Sequence, residues 1–247
     1  MSHATKNTHI VGKHIKIADK IGEGGYGCIQ KCLDENGNEM AVKILEIEDD
    51  GIAHPIEMCI MSLLDSEYLT KALHIHVEDR KVNILMELAI SDLSKWTKVD
   101  KKANRVSTDE LKRWSFCIIQ AVACLHNENI IHGDIKAANV LLYKDSVVRL
   151  ADFSLAVKKW TEGATYHHGT GTATHRAPEV TLKREWDEKI DIWSLGCTLY
   201  EVAYGEHLFP YQGGRDISKT EAYRRGLECQ IDWSLKHTSH IFDDEDK

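Results

Sequence analysis

His132-Gly133-Asp134-Ile135-Lys136-Ala137-Ala138-Asn139 is the stretch on which the fold turns. It sets two ionisable groups, Asp134 and Lys136, and one amide, Asn139, within a few residues of each other. Asp152-Phe153-Ser154 follows, then Ala177-Pro178-Glu179, then Asp191-Ile192-Trp193-Ser194-Leu195-Gly196. Upstream, Gly22-Glu23-Gly24-Gly25-Tyr26-Gly27 is a G-x-G-x-x-G sequence, and Lys43 ends the apolar run Ala41-Val42-Lys43. Such glycines let a backbone approach phosphates, or simply make a turn. This run lies between two predicted strands rather than before a long helix, which argues against a dinucleotide site. A Lys inside an apolar strand needs an anionic partner, because burying its charge alone is costly. A phosphate or a carboxylate would serve.

The 247-residue length suits one large domain or two packed lobes sharing a cleft. Hydrophobic residues at 43% and charged residues at 28% argue against wholesale disorder. The net charge of −8 argues against nucleic acid or an anionic membrane as the main partner. Lys98, Lys101, Lys102 and Arg105 read as a solvated loop. No run approaches the roughly 18 apolar residues of a membrane span, and residues 1–16 carry no signal-like apolar stretch. The 7 cysteines are scattered with no CxxC pair, so a reducing compartment, cytoplasmic or nuclear, is expected. Cys28 and Cys32 could share a strand face as small core residues. Among the 14 histidines, His74/His76 and His167/His168 invite a metal reading but read as loop residues.

Strands are predicted near 14–17, 26–33, 39–45, 73–77 and 82–88, with a turn at 34–38 around Asn36-Gly37. Met58, Met61, Leu63 and Leu64 have helical spacing after Pro55, which suits a first helical turn. Beyond about residue 90 the pattern is helical. Ser107 and Glu110 fit a capping box, and Leu111, Trp114, Ile118, Val122 and Leu125 mark one buried stripe. Residues 191–204 are apolar on nearly all sides and predict a buried helix. A helix is expected at 219–229 and an acidic, fraying tail at 242–247.

Taken together and in this order, the motifs make the chain similar to the eukaryotic protein kinase family, over roughly residues 14–215. The resemblance implies an α+β, two-lobed fold. A small antiparallel sheet with one helix (1–88) would face a larger, mainly helical lobe (89–247). It implies a serine/threonine kinase using ATP and Mg²⁺. Gly22, Gly24 and Gly27, with Ile21 beside them, would cover the phosphates, and Ile29, Ala41 and Leu141 would pack on the adenine. Met86 would stand beside the base, Glu87 to Ala89 would offer it backbone groups, and Asp92 would meet the ribose or cap the next helix. Lys43 would hold phosphates, Asp134 would accept the substrate proton, and Lys136 would neutralise the moving phosphoryl group. Asn139 and Asp152 would hold the metal. Glu57 best fits as the partner of Lys43, with Glu46 or Glu48 as alternatives. Thr172 would contact Asp134 and Lys136. Lys136 and Gly171-Thr172 favour Ser/Thr over Tyr as acceptor. Asp92-Leu93 and Leu208-Phe209-Pro210 resemble the cyclin-dependent branch. Protein substrates, a regulatory protein partner and a monomeric state follow as expectations. A pseudokinase is the alternative.

Departures from the pattern are equally specific. Gly133 stands where the family has an Arg that gathers a phosphorylated loop residue, so activity should not need phosphate on Thr161, Thr165 or Thr170. Ser154 replaces a Gly and should restrict movement of Phe153. His175 stands where a Tyr is common. The C-terminal lobe is short: either Arg224 or Arg225 stands in as the partner of Glu179, or Glu179 is partly exposed, or this lobe is less stable than usual.

Overall fold

The computed structural model describes residues 6–10, 13–24, 27–48, 51–52, 55–98, 106–161 and 163–209. The N-terminal part is an antiparallel sheet of β1 (Lys6–Ile10), β2 (Lys13–Gly24), β3 (Gly27–Leu33), β4 (Glu39–Glu48), β5 (Gly51–Ile52), β6 (His74–Glu78) and β7 (Lys81–Glu87). The strand order is β1-β2-β3-β4-β7-β6, with β5 beside β4. β1 and β5 had no counterpart in the sequence reading. The Lys-Asn-Thr-His-Ile run of β1 carries no apolar alternation, and β5 has only two residues. Asp34 organises the β3–β4 turn, accepting the N–H groups of Asn36 and Asn38 at 2.9 and 2.8 Å. Gly37 there has φ +81°, the left-handed region that glycine enters without strain.

Period-two alternation sorts the strand side chains onto two faces. Ile15, Cys32, Val42 and Leu85 bury one face, so Cys32 is a core thiol. Burial first, then Asp34, pushes its pKa up to about 11, which suits an inert residue. Ala41, Leu45, Val82, Ile84 and Met86 line the other face, and α1 (Pro55–Leu63) packs there through Ile60 and Met61. Leu63, predicted in that stripe, is instead 75% exposed. His74 and His76 lie in β6, not in a loop.

The C-terminal part holds β8 (Ser91–Asp92), α2 (Leu93–Lys98), α3 (Thr108–Asn127), β9 (Ile130–Ile131), β10 (Val140–Leu142), β11 (Val148–Leu150), β12 (Val157–Lys158), α4 (Pro178–Thr181) and α5 (Lys189–Tyr204). The capping box of α3 forms as read. Ser107 Oγ accepts the Glu110 N–H, and the Glu110 carboxylate accepts the Ser107 N–H. The α3 stripe buries Trp114, Ile118, Val122 and Leu125. Each contributes about 1.5–3 kcal/mol of apolar burial. The short ladders β11-β10-β8 and β12-β9 bracket residues 132–139 and present them at the rim.

The α5 helix departs from expectation. Among the described residues its buried face includes Asp191, Ser194, Thr198 and Glu201, while Ile192 is 49% exposed. Apolar Ile190, Cys197 and Val202 share the buried positions with Asp191 and Ser194, which anchor neighbouring loops. Gly205 ends the helix at φ 70°. The expected helix at 219–229, the tail at 242–247, and Lys101, Lys102 and Arg105 lie outside the described residues. So do the side chains of Lys98 and Glu48.

Candidate active site

Between the sheet and the helical part lies a cavity of about 310 Å³. Of the residues singled out from sequence, Gly27, Ile29, Lys43, Glu57, Met86, Asp134, Lys136, Asn139, Leu141 and Asp152 line it. Met61, Thr70, Ala138, Ala151, Ser154 and Leu155 complete the wall. Met61 was legible only as a helix core position, and Thr70 carried no motif at all.

Strand geometry places Lys43. It pairs with Ile84 on β7 and Ile29 on β3 in the centre of the sheet, and alternation turns it to the same face as Ala41 and Leu45. Its Nζ donates to Glu57 Oε1 at 2.6 Å and to Asp152 Oδ1 at 3.1 Å. Glu57 is 1% exposed in the first turn of α1. Glu46, a sequence alternative, pairs with Lys81 at 3.3 Å instead. Burial opposes the charged form of Lys43, but Glu57 and Asp152 outweigh it and hold the ammonium above the usual lysine range. Burial likewise pushes the Asp152 carboxyl up, while Lys43 and the Ser154 hydroxyl more than offset this and hold it below the usual range. Asp152 sits at φ 61°, a strained backbone for a non-glycine residue, as is common at functional sites.

A second cluster stands across the cleft. Thr172 Oγ1 donates to Asp134 Oδ1 at 2.7 Å, and Lys136 Nζ reaches Asp134 Oδ2 at 2.7 Å and Thr172 Oγ1 at 2.8 Å. The Asn139 amide donates to the Asp134 carbonyl at 2.8 Å, which leaves its side-chain oxygen as a ligand atom. The loop is braced from below. Asp191, fully buried, accepts the N–H groups of His132 and Gly133 at 2.8 and 2.9 Å, and lies 2.9 Å from His126 Nε2. His132 Nδ1 accepts the Asp134 N–H, so its proton sits on Nε2, which faces the Ala151 carbonyl at 3.1 Å. Phe153, wholly buried, meets the His132 ring edge-on at 5.4 Å.

The departures acquire physical reasons. Gly133 has φ +78°, and a Cβ there would stand 2.8 Å from the Leu155 carbonyl oxygen and 3.1 Å from Thr170 Oγ1. Thr170, 6% exposed, donates its hydroxyl to the Gly133 carbonyl at 3.2 Å. The loop after Asp152 therefore packs directly against the position where the family carries Arg. Arg176 clamps this loop through the carbonyls of Thr170 and Gly171, at 2.9 and 2.6 Å. Gly27 is also required sterically, since a Cβ would lie 2.6 Å from the Ile44 carbonyl oxygen.

Several sequence-chosen residues do not line the cavity. Asp92 caps α2, accepting the Lys95 N–H at 3.0 Å and the Ser94 hydroxyl at 2.6 Å. Burial pushes its carboxyl up, but Ser94 and Lys95 prevail and hold it below the usual range. Ala41 is buried opposite Met86, Ile21 and Gly22 lie on β2, and Gly24 pairs with Gly27 at the hairpin end. The Glu87 carboxylate binds Arg149 at 2.6 Å, and Ala89 lies in the β7–β8 connection. Glu179 is half-buried in α4, and its suggested partners Arg224 and Arg225 lie outside the described residues.

The donor set fits a nucleoside triphosphate with Mg²⁺. Lys43 supplies a cation, Asn139 and Asp152 supply the oxygen ligands that Mg²⁺ prefers, and Ile29, Met86 and Leu141 supply an apolar slot.

The family model described as "Protein kinase domain" matches residues 15–244. A Cell division control protein 2 homolog 3 of Trypanosoma brucei brucei is 30% identical over 197 residues, 77% of this chain and 63% of the relative. Cyclin-dependent kinase-like 2 of Pongo abelii is 31% identical over 205 residues, covering 81% of this chain and 41% of the relative. Its Oryctolagus cuniculus counterpart is 31% identical over 213 residues, 84% and 37% respectively. The aligned part of this chain thus spans between 37% and 63% of these relatives' lengths.

Proposed function

This chain belongs to the protein kinase family, and from that premise we propose that it is an active kinase transferring the γ-phosphoryl group of ATP to Ser or Thr hydroxyls of proteins. The observation that carries the reading is the pairing of two clusters in one cleft. Lys43–Glu57–Asp152 stands on the nucleotide side and Asp134–Lys136–Thr172 on the acceptor side. The lobes are taken as 1–88 and 89–247.

Phosphoryl transfer needs positioning and charge neutralisation more than covalent chemistry. Lys43, held by Glu57, binds the nucleotide's α- and β-phosphates. Asn139 and Asp152 would hold Mg²⁺, which when bound would supply neutralisation of phosphate charge. Ile29, Met86 and Leu141 grip the base, and Asp92 is assigned to the α2 cap rather than to the ribose. Asp134 Oδ1, which now accepts the Thr172 hydroxyl, is the atom that receives the proton of an incoming acceptor hydroxyl. Lys136 then faces the moving phosphoryl group. Thr172 occupies the acceptor side as a stand-in hydroxyl, which supports Ser/Thr as the substrate class.

Two relatives carry "cyclin-dependent" in their names, which supports a cyclin-like regulatory protein as a partner class. No helix among the described residues is long and apolar enough to cross a membrane. The free cysteines suit the cytoplasm or nucleus. The test is transfer of labelled γ-phosphate from Mg·ATP to generic protein acceptors, with phosphoamino-acid analysis, beside Asp134→Asn and Lys43→Met. Label on Ser or Thr that vanishes in both variants supports the enzyme. No label from folded, ATP-binding protein overturns it in favour of a pseudokinase, the reading that the Gly133 and Ser154 departures favour.

A further inference from the structure

Outside the cleft, His175, Glu201 and His207 converge from three segments. His175 precedes α4, Glu201 lies in the last turns of α5, and His207 follows the Gly205 cap. His175 Nε2 stands 3.1 Å from Glu201 Oε2, and His207 Nδ1 stands 3.6 Å from Glu201 Oε1. One ligand-capable atom from each residue lies within 4.8 Å of the others. His175 and Glu201 are each 3% exposed. Yet His175 Nε2, Glu201 Oε2 and His207 Nδ1 have no hydrogen-bond partner among the described residues. Buried polar atoms are rarely left so, and each such case asks for an explanation.

The surroundings hold the His175 ring in place. Its Nδ1 lies 2.9 Å from Thr174 Oγ1, its N–H donates to the Thr172 carbonyl at 2.9 Å, and its carbonyl accepts the Ser194 hydroxyl at 2.9 Å. In the tautomer whose Nδ1 proton goes to Thr174, Nε2 aims a lone pair at the Glu201 carboxylate. Two acceptors facing each other at depth are resolved by a cation between them.

We infer that His175, Glu201 and His207 form a binding site for a borderline divalent cation of the Zn²⁺ class. Two imidazoles and one carboxylate are a donor set that Zn²⁺ takes, at about 2.0–2.2 Å per bond. Tetrahedral ligands at that radius stand about 3.3–3.6 Å apart, and the two imidazoles flank the one carboxylate, His175 Nε2 3.1 Å from Oε2 and His207 Nδ1 3.6 Å from Oε1. Thr174 supplies the outer hydrogen bond that orients a ligating imidazole. The His207 side chain is 35% exposed, which leaves a fourth position for water. Mg²⁺, an oxygen-seeking ion, is a poor match for this set. The ion ties the segment carrying Thr172 to α5. The Glu201 carboxylate also receives the Ala137 backbone N–H, which joins the site to the catalytic loop.

The experiment uses the full chain, stripped with chelator and titrated with Zn²⁺ by calorimetry and metal analysis, and with Co²⁺ by visible spectroscopy. One equivalent is expected, with tetrahedral Co²⁺ d–d bands and no displacement by excess Mg²⁺. Glu201→Gln and His207→Ala should each weaken Zn²⁺ binding by roughly tenfold or more, while a His167→Ala/His168→Ala variant keeps it. His207→Ala, on a partly exposed residue, carries the test if Glu201→Gln fails to fold. Absence of uptake overturns the inference in favour of a buried imidazolium–carboxylate pair. Uptake that persists unchanged in both variants also overturns it, as an adventitious ion only. None of these readouts needs catalysis, so failure of the site and failure of the kinase activity are separable.

Discussion

Restoring the family's Arg at position 133 should damage this protein rather than activate it. Two effects combine in Gly133→Arg. An L-residue at φ +78° carries about 1–2 kcal/mol of backbone strain. Its Cβ would also stand 2.8 Å from the Leu155 carbonyl oxygen, closer than real Cβ contacts come. Relieving that contact by backbone shifts costs about 1–3 kcal/mol more. The total is about 2–5 kcal/mol, and with a urea m-value of about 3 kcal/mol/M the unfolding midpoint falls by roughly 1 M. Gly37→Ala is the control. It carries the same left-handed strain at φ +81°, but nothing lies within 4 Å of its Cβ position, so it should lose only the first part. Catalysis should fall as well, because Gly133 adjoins Asp134 and its N–H is held by Asp191. Displacing a catalytic group by about 1 Å can cost about a hundredfold in rate. Urea unfolding and γ-phosphate transfer measure the two effects. A Gly133→Arg protein with the parent's midpoint, or with more activity than the parent, would refute the reasoning.

Phosphate on the loop should matter little. Thr170 is buried, and Thr165 already bonds Glu185 at 3.1 Å, where a phosphate would meet a like charge. Mass-defined phosphoforms at Thr161, Thr165 or Thr170 should therefore gain less than about tenfold in rate, or roughly 1.4 kcal/mol; a larger gain counts against the role given to Gly133. Lys43→Met should abolish transfer and also leave Glu57 buried without its cation. That costs about 3–5 kcal/mol, read as a lower thermal midpoint that Glu57→Gln in the same chain restores in part; no recovery would show that the pair is not coupled. The Asp152 carboxyl is held below its ordinary value of about 4, so its contribution to stability is complete above that pH and is lost as the solution becomes more acidic. Asp152→Asn should flatten this acid limb of the stability–pH curve, and an unchanged limb would contradict the Lys43 contact. Ser107→Ala should cost about 1 kcal/mol through loss of the α3 cap, measured by urea unfolding.

Local chemistry made much of the site legible. The Ser107–Glu110 box, the Trp114–Leu125 stripe, the Asn36-Gly37 turn and the alternation around Lys43 each depend on residues within one or two turns of each other. Their structural consequences are therefore written in short windows. Leu63 and the all-round apolar burial expected of α5, though not the helix itself, were misread for the complementary reason. Apolarity says that a side chain can be buried, whereas the packing partners decide which ones are. On α5 the inward face is shared by Ile190, Cys197 and Val202 with polar residues, of which Asp191 and Ser194 bond the loops at His132–Gly133 and His175 while Thr198 bonds the Ser194 carbonyl of its own helix. β1 was illegible because an edge strand is held by backbone pairing with β2, to which its polar side chains contribute no pattern.

From the sequence by itself came the family, the two-lobed α+β plan and the residue types gathered at the cleft, since ordered motifs of Gly, Lys, Asp and Asn encode the chemistry of phosphate and metal handling. The tertiary structure set Glu57, the partner the sequence favoured, against Lys43 and Glu46 against Lys81, gave Asp92 to the α2 cap and left no room for a Cβ at position 133. It also drew His175, Glu201 and His207 together. These are pairings between residues distant along the chain. They are decided by how the sheet, the loops and α5 pack against one another, and no local propensity carries that information.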